Sequence, residues 1–256
     1  MNKKIIIISG GSGFLGKEVS KSLYNIDTNY IIVFDKGVDC DFKKYSDEHY
    51  NVDITDENGD QGVYDAVKEV YNIHRKIDVA INMAAINSIP EKNVDNSFEN
   101  YSLEKWKRTL DVNLTGAFLL SRECIKYMLK NENREGFKGT VVNVASDLGV
   151  ITSDQSVYDN GYIKPPDYGV SKAGLIHLTK YIAGYYRDKI KAVCLSPGSV
   201  YNGQSDSLKQ NLENRIPIGR LARKDEYNGA IKFLCSSDSD YMQGCNLIAD
   251  GGRNIW

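Results

Sequence analysis

The sequence predicts an α/β fold, one doubly wound domain over residues 1–256 with about seven parallel strands and helices on both faces. Three observations predict it. Short β-branched runs recur along the chain, stretches of helical period separate them, and a glycine-rich turn directly follows the first run.

The elements follow in order. Lys4–Ser9 is a continuous apolar run of the kind buried on both faces of a parallel sheet. After the glycines, a helix is predicted from about Phe14 to Tyr24, then a second buried strand, Tyr30–Asp35. Val63, Ala66, Val67, Val70 and Ile73 recur at helical spacing, and Ile77–Asn82 reads as a strand. Trp106 to Leu129 carries a helical period, and Thr140–Ala145 is a strand. A long helix is predicted from Tyr168 to about Tyr186, a strand over Ile190–Leu195, a helix over Asp225–Leu234, and a last strand over Cys245–Ala249. Strand–helix alternation implies right-handed crossovers and a sheet covered on both sides.

Composition removes several function classes. The net charge of −2, with basic residues dispersed among acidic ones, gives no footprint for nucleic acid. Ile5–Ile8 is far too short to span a bilayer, and no cleavable leader pattern surrounds it, so a cytoplasmic protein without membrane contact is expected. The five cysteines (Cys40, Cys124, Cys194, Cys235, Cys245) form no C-x-x-C pair, and the three histidines sit at no ligand spacing. Reduced, mostly buried thiols and no metal are expected.

Gly10-Gly11-Ser12-Gly13-Phe14-Leu15-Gly16 lies between a buried strand and a helix start, where a pyrophosphate needs close backbone, free N–H groups and the positive helix end. Asp35 ends the second strand about 20 residues further on, placed to accept hydrogen bonds from an adenosine ribose diol and to repel a 2′-phosphate. Lys36 beside it leaves NADP(H) open, while NAD(H) is favoured. Tyr168-Gly-Val-Ser-Lys172 sets a phenol and an ammonium one helical turn apart, and an ammonium within about 4–6 Å lowers a phenol's pKa. Ser146 follows the strand Thr140–Ala145 at the carboxyl edge, where a hydroxyl stabilises a developing alkoxide.

Together these motifs resemble the single-domain branch of the short-chain dehydrogenase/reductase family, with its Rossmann-type fold, from Lys4 to Gly252. The glycine spacing itself is closer to the longer, sugar-nucleotide-modifying branch. The resemblance implies adenine contacts from Asp53 and Ile54, a strand end at Asn82-Met83-Ala84-Ala85 passing the cofactor, and a nicotinamide border at Pro197-Gly198. The threonine usual after that turn is missing, so the backbone of Val200 is assigned there. It also implies hydride transfer between nicotinamide and a carbinol or carbonyl carbon. Tyr168 moves the proton, Lys172 holds the nicotinamide ribose and depresses the Tyr168 pKa, Ser146 polarises the substrate oxygen, and Asn113 positions a relay water. Homodimers or homotetramers are expected from the family.

The substrate side is read from the segment between Ser146 and Tyr168, which is longer than usual. Its Asp, Asn, Gln and Tyr residues, over 154–162, suit a hydroxyl-rich molecule better than a fatty or steroidal one. Tyr158, Tyr162 and Tyr201 are substrate candidates with Ser146, and Ser199–Asn214 is a second candidate lid. The insert also looks similar to bacterial surface-glycan and flagellin-modification reductases, which points to a sugar phosphate, nucleotide sugar or nonulosonate-type sugar. Two other readings stay open: a sugar-nucleotide epimerase or dehydratase, and a non-catalytic dinucleotide sensor.

Overall fold

The computed structural model describes residues 3–37, 44–59, 61–87, 95–131, 136–159 and 161–255. Cys40 and Asn160 lie outside the described residues. Seven strands form one parallel sheet: β1 (Lys4–Ser9), β2 (Asn29–Asp35), β3 (Glu48–Asn51), β4 (Val79–Asn82), β5 (Gly139–Val144), β6 (Ile190–Pro197) and β7 (Asn246–Ala249). Their order across the sheet is β3-β2-β1-β4-β5-β6-β7. The sheet therefore reverses its winding at β1, which pairs Ile6 with Ile31 of β2 on one side and Val79 of β4 on the other.

The unbroken isoleucine run of β1 follows from that central place. Alternate residues point to opposite faces, and both faces are covered. Ile5 and Ile7 pack with Ile32, Phe34, Val67, Leu120 and Ile182, beneath helices α2 (Val63–His74), α4 (Gly116–Met128) and α5 (Pro166–Tyr186). Ile6 and Ile8 pack with Ile31, Val33, Val19 and Ile231, beneath α1 (Gly16–Tyr24) and α7 (Asn228–Leu234). Each such buried aliphatic side chain stabilises by roughly 1.5–3 kcal/mol. Two further helices are α3 (Leu103–Leu110) and α6 (Asp206–Glu213).

Several element boundaries differ from expectation. The edge strand β3, Glu-His-Tyr-Asn, has no apolar alternation to signal it, and it is held through Glu48, which accepts from Tyr30 Oη at 2.9 Å and Tyr50 Oη at 3.0 Å. The helix expected from Trp106 to Leu129 is α3 and α4 joined by a π-helical turn, Asp111–Thr115. Helix α1 begins at Gly16, because Phe14 and Leu15 belong to the glycine turn. Helix α5 begins at Pro166, whose missing N–H costs nothing in a first turn. The last strand starts at Asn246, after Cys245 gives its carbonyl to Cys194 N–H.

Candidate active site

A cleft of about 990 Å³ crosses the carboxyl ends of the central strands, where open α/β sheets bind ligands. Its first wall is the glycine turn. Gly10 has φ +69°, and a Cβ there would sit 2.6 Å from Ala84 Cα at the end of β4. A Cβ on Gly16 would meet Gly10 O at 2.0 Å. The turn is folded so tightly that only glycine fits at these places, and Gly13, Phe14 and Leu15 line the cleft.

Asp35 also lines the cleft, and Ser12 steadies it from behind. Both the backbone N–H (3.0 Å) and the hydroxyl of Ser12 donate to Asp35 Oδ2. Among the described residues Asp35 Oδ1 carries no further partner, so it is available to a diol. Ser12 is thus placed behind the wall and does not line the cleft. Lys36 is ion-paired with Asp53, whose other oxygen accepts from Thr55 N at 2.9 Å and Thr55 Oγ1 at 2.7 Å. That pairing and its hydrogen bonds hold the Asp53 carboxyl below its ordinary pKa against its partial burial.

Ile54, Ala84, Ala85, Pro197, Gly198 and Val200 line the cleft as expected. Asn82 does not. It is 3% exposed, and its Nδ2 donates to Ser121 Oγ at 2.8 Å and Asn143 Oδ1 at 2.7 Å, tying β4 to β5 and α4. The tight glycine turn, the spare Asp35 oxygen and the cleft volume fit a nicotinamide dinucleotide. Gly10, Gly13, Phe14, Leu15, Asp35, Asp53, Ile54, Ala84, Ala85, Pro197, Gly198 and Val200 line the cleft and would hold it.

The structure brings Ser146, Tyr168 and Lys172 to one stretch of this cleft. Ser146 follows β5 and opens a single 3-10 turn, Asp147–Gly149. Its Oγ donates to Asp147 Oδ1 at 2.9 Å and accepts from Leu148 N at 3.2 Å. Tyr168 stands in the first turn of α5, where Asp167 accepts from Tyr168 N at 2.7 Å and Tyr101 Oη at 2.8 Å. Lys172 Nζ donates to Val144 O at 2.8 Å and lies 5.8 Å from the Tyr168 ring centre.

The electrostatics correct one expectation. Burial pushes the Tyr168 phenol up to about 12; the Ser146 hydroxyl pulls the other way, and Asp147 adds to the rise. Burial also lowers Lys172 to about 8, with Cys194 opposing. Desolvation is the largest influence on the phenol, and the ammonium donates to the Val144 carbonyl.

Asn113 also ties distant segments together. It is fully buried in the π-helical turn, and its amide clamps the chain after β4: Nδ2 donates to Ile86 O at 2.9 Å and to Ser171 Oγ at 3.0 Å, while Oδ1 accepts from Ile86 N at 2.8 Å. Both N–H donors of its side-chain amide are thus engaged, and the side chain positions the cleft wall.

The segment between Ser146 and α5 forms one edge of the cleft. Tyr158 and Tyr162 line it with their rings 4.9 Å apart. Val157 is buried with Leu212, Ile216 and Leu221, and Asn211 Nδ2 donates to Val157 O at 3.0 Å, so both candidate lids pack on each other. Tyr201 is 52% exposed and does not line the cleft, its N–H held by Ala222 O.

Several cleft residues were missed by sequence reasoning. Lys164, 7% exposed, donates to Asn87 Oδ1 at 2.5 Å and lies 5.2 Å from the Tyr168 ring centre. Arg253 pairs with Asp147 at 2.9 Å, with side chains 6% and 4% exposed. Arg108 faces the cleft from α3. The one available signal was the apolar and proline flank of Lys164, Ile163 and Pro165-Pro166, unusual for a surface lysine. Among the described residues no group of three His, Cys, Asp or Glu side chains is arranged to hold a metal, and no helix is long and apolar enough to cross a membrane.

The Enoyl-(Acyl carrier protein) reductase family profile matches residues 37–254. The 3-oxoacyl-[acyl-carrier-protein] reductase FabG of Aquifex aeolicus is 26% identical over 97% of this chain and 96% of its own. The NADP-dependent mannitol dehydrogenase of Alternaria alternata is 28% identical over 97% and 91%. Among solved structures, a short chain dehydrogenase from Leptospira borgpetersenii with bound NAD+ aligns with TM-score 0.85 and 32% identity, covering 99% of this chain and 93% of that one. With this fold, this cleft and these relatives, the chain belongs to the short-chain dehydrogenase/reductase family and is an oxidoreductase of alcohol and carbonyl groups.

Proposed function

We propose that the protein is an NAD(H)-linked dehydrogenase/reductase of a small, hydroxyl-rich alcohol or its carbonyl counterpart. The convergence of Ser146, Tyr168 and Lys172 on one cleft with Asp35 and the glycine turn carries this reading. Asp35, with one carboxylate oxygen unengaged, and Lys36, engaged by Asp53, favour NAD(H) over NADP(H). The Leptospira relative has NAD+ bound, whereas the mannitol dehydrogenase is NADP-dependent by name.

A bound nicotinamide dinucleotide supplies or accepts the hydride. Tyr168 Oη carries the proton to or from the substrate oxygen, and the buried phenol is held in its protonated form, the form that gives a proton to a carbonyl. The Ser146 hydroxyl turns from Asp147 to donate to the same oxygen, with Asp147 and Leu148 keeping Ser146 in place. Lys172, whose ammonium lies in the same cleft, would hold the hydroxyls of the nicotinamide ribose. Asn113 keeps the wall after β4 rigid.

The paired Tyr158 and Tyr162 rings and the amides of Asn87, Asn202 and Gln204 support a polar substrate over a fatty one. The narrower expectation of a glycan-pathway sugar finds no support among the relatives, and the proposal stops at a hydroxyl-rich molecule. A family-type homodimer or homotetramer is part of the proposal and is read by sedimentation.

The test follows NADH absorbance with a panel of polyols, sugars and hydroxy acids. Net NADH appearance or consumption is expected, and it disappears in Tyr168→Phe while NADH still binds. Near-normal turnover in Tyr168→Phe would remove Tyr168 from the proton step. Product formation without net NADH change would favour an epimerase or dehydratase.

A further inference from the structure

Lys164 brings to the substrate end of the cleft a charge that the proton chemistry leaves unused. Its backbone is clamped by one side chain: Lys164 N donates to Gln155 Oε1 at 2.9 Å, and Lys164 O accepts from Gln155 Nε2 at 3.1 Å. This clamp launches the side chain into the cleft beside the Tyr168 ring.

Two other buried cations among the described residues have counter-ions. Lys191 Nζ meets Asp240 at 2.8 Å, and Arg253 meets Asp147 at 2.9 Å. Lys172 lacks one, and its charge belongs to the proposed work with Tyr168. Lys164 donates to the neutral amide oxygen of Asn87, and no described carboxylate is ion-paired with it. Asp167 is the described carboxylate whose field reaches it, and both Asp167 oxygens already accept hydrogen bonds. A structural tie to Asn87 would need no charge, and burying an unpaired ammonium is costly. The cost is visible in the Lys164 pKa, which burial lowers to about 8. An ammonium carries three donors, so at least one remains to face the cleft.

We propose that Lys164 recognises an oxyanion on the substrate, a carboxylate or a phosphate, lying a few bonds from the carbon whose oxygen meets Tyr168. The short separation follows from the 5.2 Å between Lys164 Nζ and the Tyr168 ring centre. The proposal rests on the oxidoreductase reading for which end of the cleft takes substrate. It narrows the hydroxyl-rich class to anionic hydroxy or oxo compounds.

The test uses the full chain. NADH binding is first titrated by its fluorescence. With NADH saturating, thermal unfolding is then compared in sodium phosphate, sodium acetate and sodium chloride of equal ionic strength. Phosphate also stabilises proteins by exclusion, so the readout is the difference between wild type and Lys164→Gln. Phosphate or acetate is expected to raise the Tm of the wild type more than that of Lys164→Gln, and which anion does so distinguishes the two sources. Lys164→Gln removes the charge and is expected to weaken oxyanion binding by about 10-fold or more. Asn87→Asp keeps the lysine but gives it an internal counter-ion, and should act alike if Lys164→Gln does not fold. Equal responses in wild type and both substituted proteins would overturn the proposal. Absence of NADH binding would refute the dinucleotide reading instead, and the oxyanion comparison without NADH would still read Lys164.

Discussion

Replacing Arg253 by methionine tests the buried ion pair behind Ser146. Arg253 lies 2.9 Å from Asp147 Oδ2, and both side chains are almost sealed from water. Methionine fills much of the arginine stem but leaves the Asp147 carboxylate without its charge partner. Removing one member of such a pair costs about 3–5 kcal/mol. Asp147 Oδ1 still accepts from Ser146 Oγ at 2.9 Å and Leu148 N at 2.8 Å, which argues for the lower end, about 3 kcal/mol. For a chain of this size that is a Tm drop of roughly 10 °C. The loss depends on pH. Burial already raises the Asp147 carboxyl, and Arg253 works against that rise. Without Arg253 the folded pKa climbs further above the unfolded one. The protonated carboxyl then favours the native state at low pH, and that contribution is lost as pH rises through the folded pKa. Calorimetric melts at pH 5 and pH 8 should therefore show a small deficit in acid and the full deficit at pH 8. Adding Asp147→Asn should recover most of it. A deficit below about 1 kcal/mol at pH 8, or one equal at both pH values, would refute the buried-pair argument.

Two further outcomes follow. Asp35→Asn removes the carboxylate that Ser12 steadies, and the NADH dissociation constant, read by fluorescence titration, should rise about 10- to 100-fold; a change below about 3-fold would count against Asp35 as the diol acceptor. Lys172→Met should abolish turnover yet melt at or above the wild-type temperature at pH 7, because the folded lysine pKa is lowered to about 8 and the ammonium is held at a cost. That cost fades as pH rises from the folded value toward the unfolded one, so the two melting temperatures should converge near pH 10. A Lys172→Met protein much less stable than wild type at pH 7 would show that the Val144 hydrogen bond outweighs desolvation.

What was legible in the sequence was local. The run Thr140–Ala145 announced a strand whose end carries Ser146, and Pro165-Pro166-Asp167 announced the helix start that carries Tyr168. Gly10 and Gly16 were legible as a turn because such tight packing excludes any side chain. The misreadings concern contacts between distant segments. Asn113 meets Ile86 and Ser171, and Asn82 meets Ser121 and Asn143, so the N–H groups of both amides tie segments of the sheet and helices together. Tyr201 follows a turn held by its hydrogen bond to Ala222 and does not line the cleft. Edge strand β3 escaped notice because one neighbour and half-exposed side chains impose no apolar pattern.

By itself the sequence determined the α/β architecture, the glycine turn after β1 and the three residue types gathered at the carboxyl edge. Periodicity and glycine punctuation encode these within a few residues of one another. Only the tertiary structure decided the charge states. Whether Tyr168 and Lys172 ionise easily, whether Lys36 is spent on Asp53, and whether Lys164 stands without a counter-ion all depend on burial and on partners brought from far along the chain. Desolvation is a property of the packed molecule, and no spacing of letters carries it.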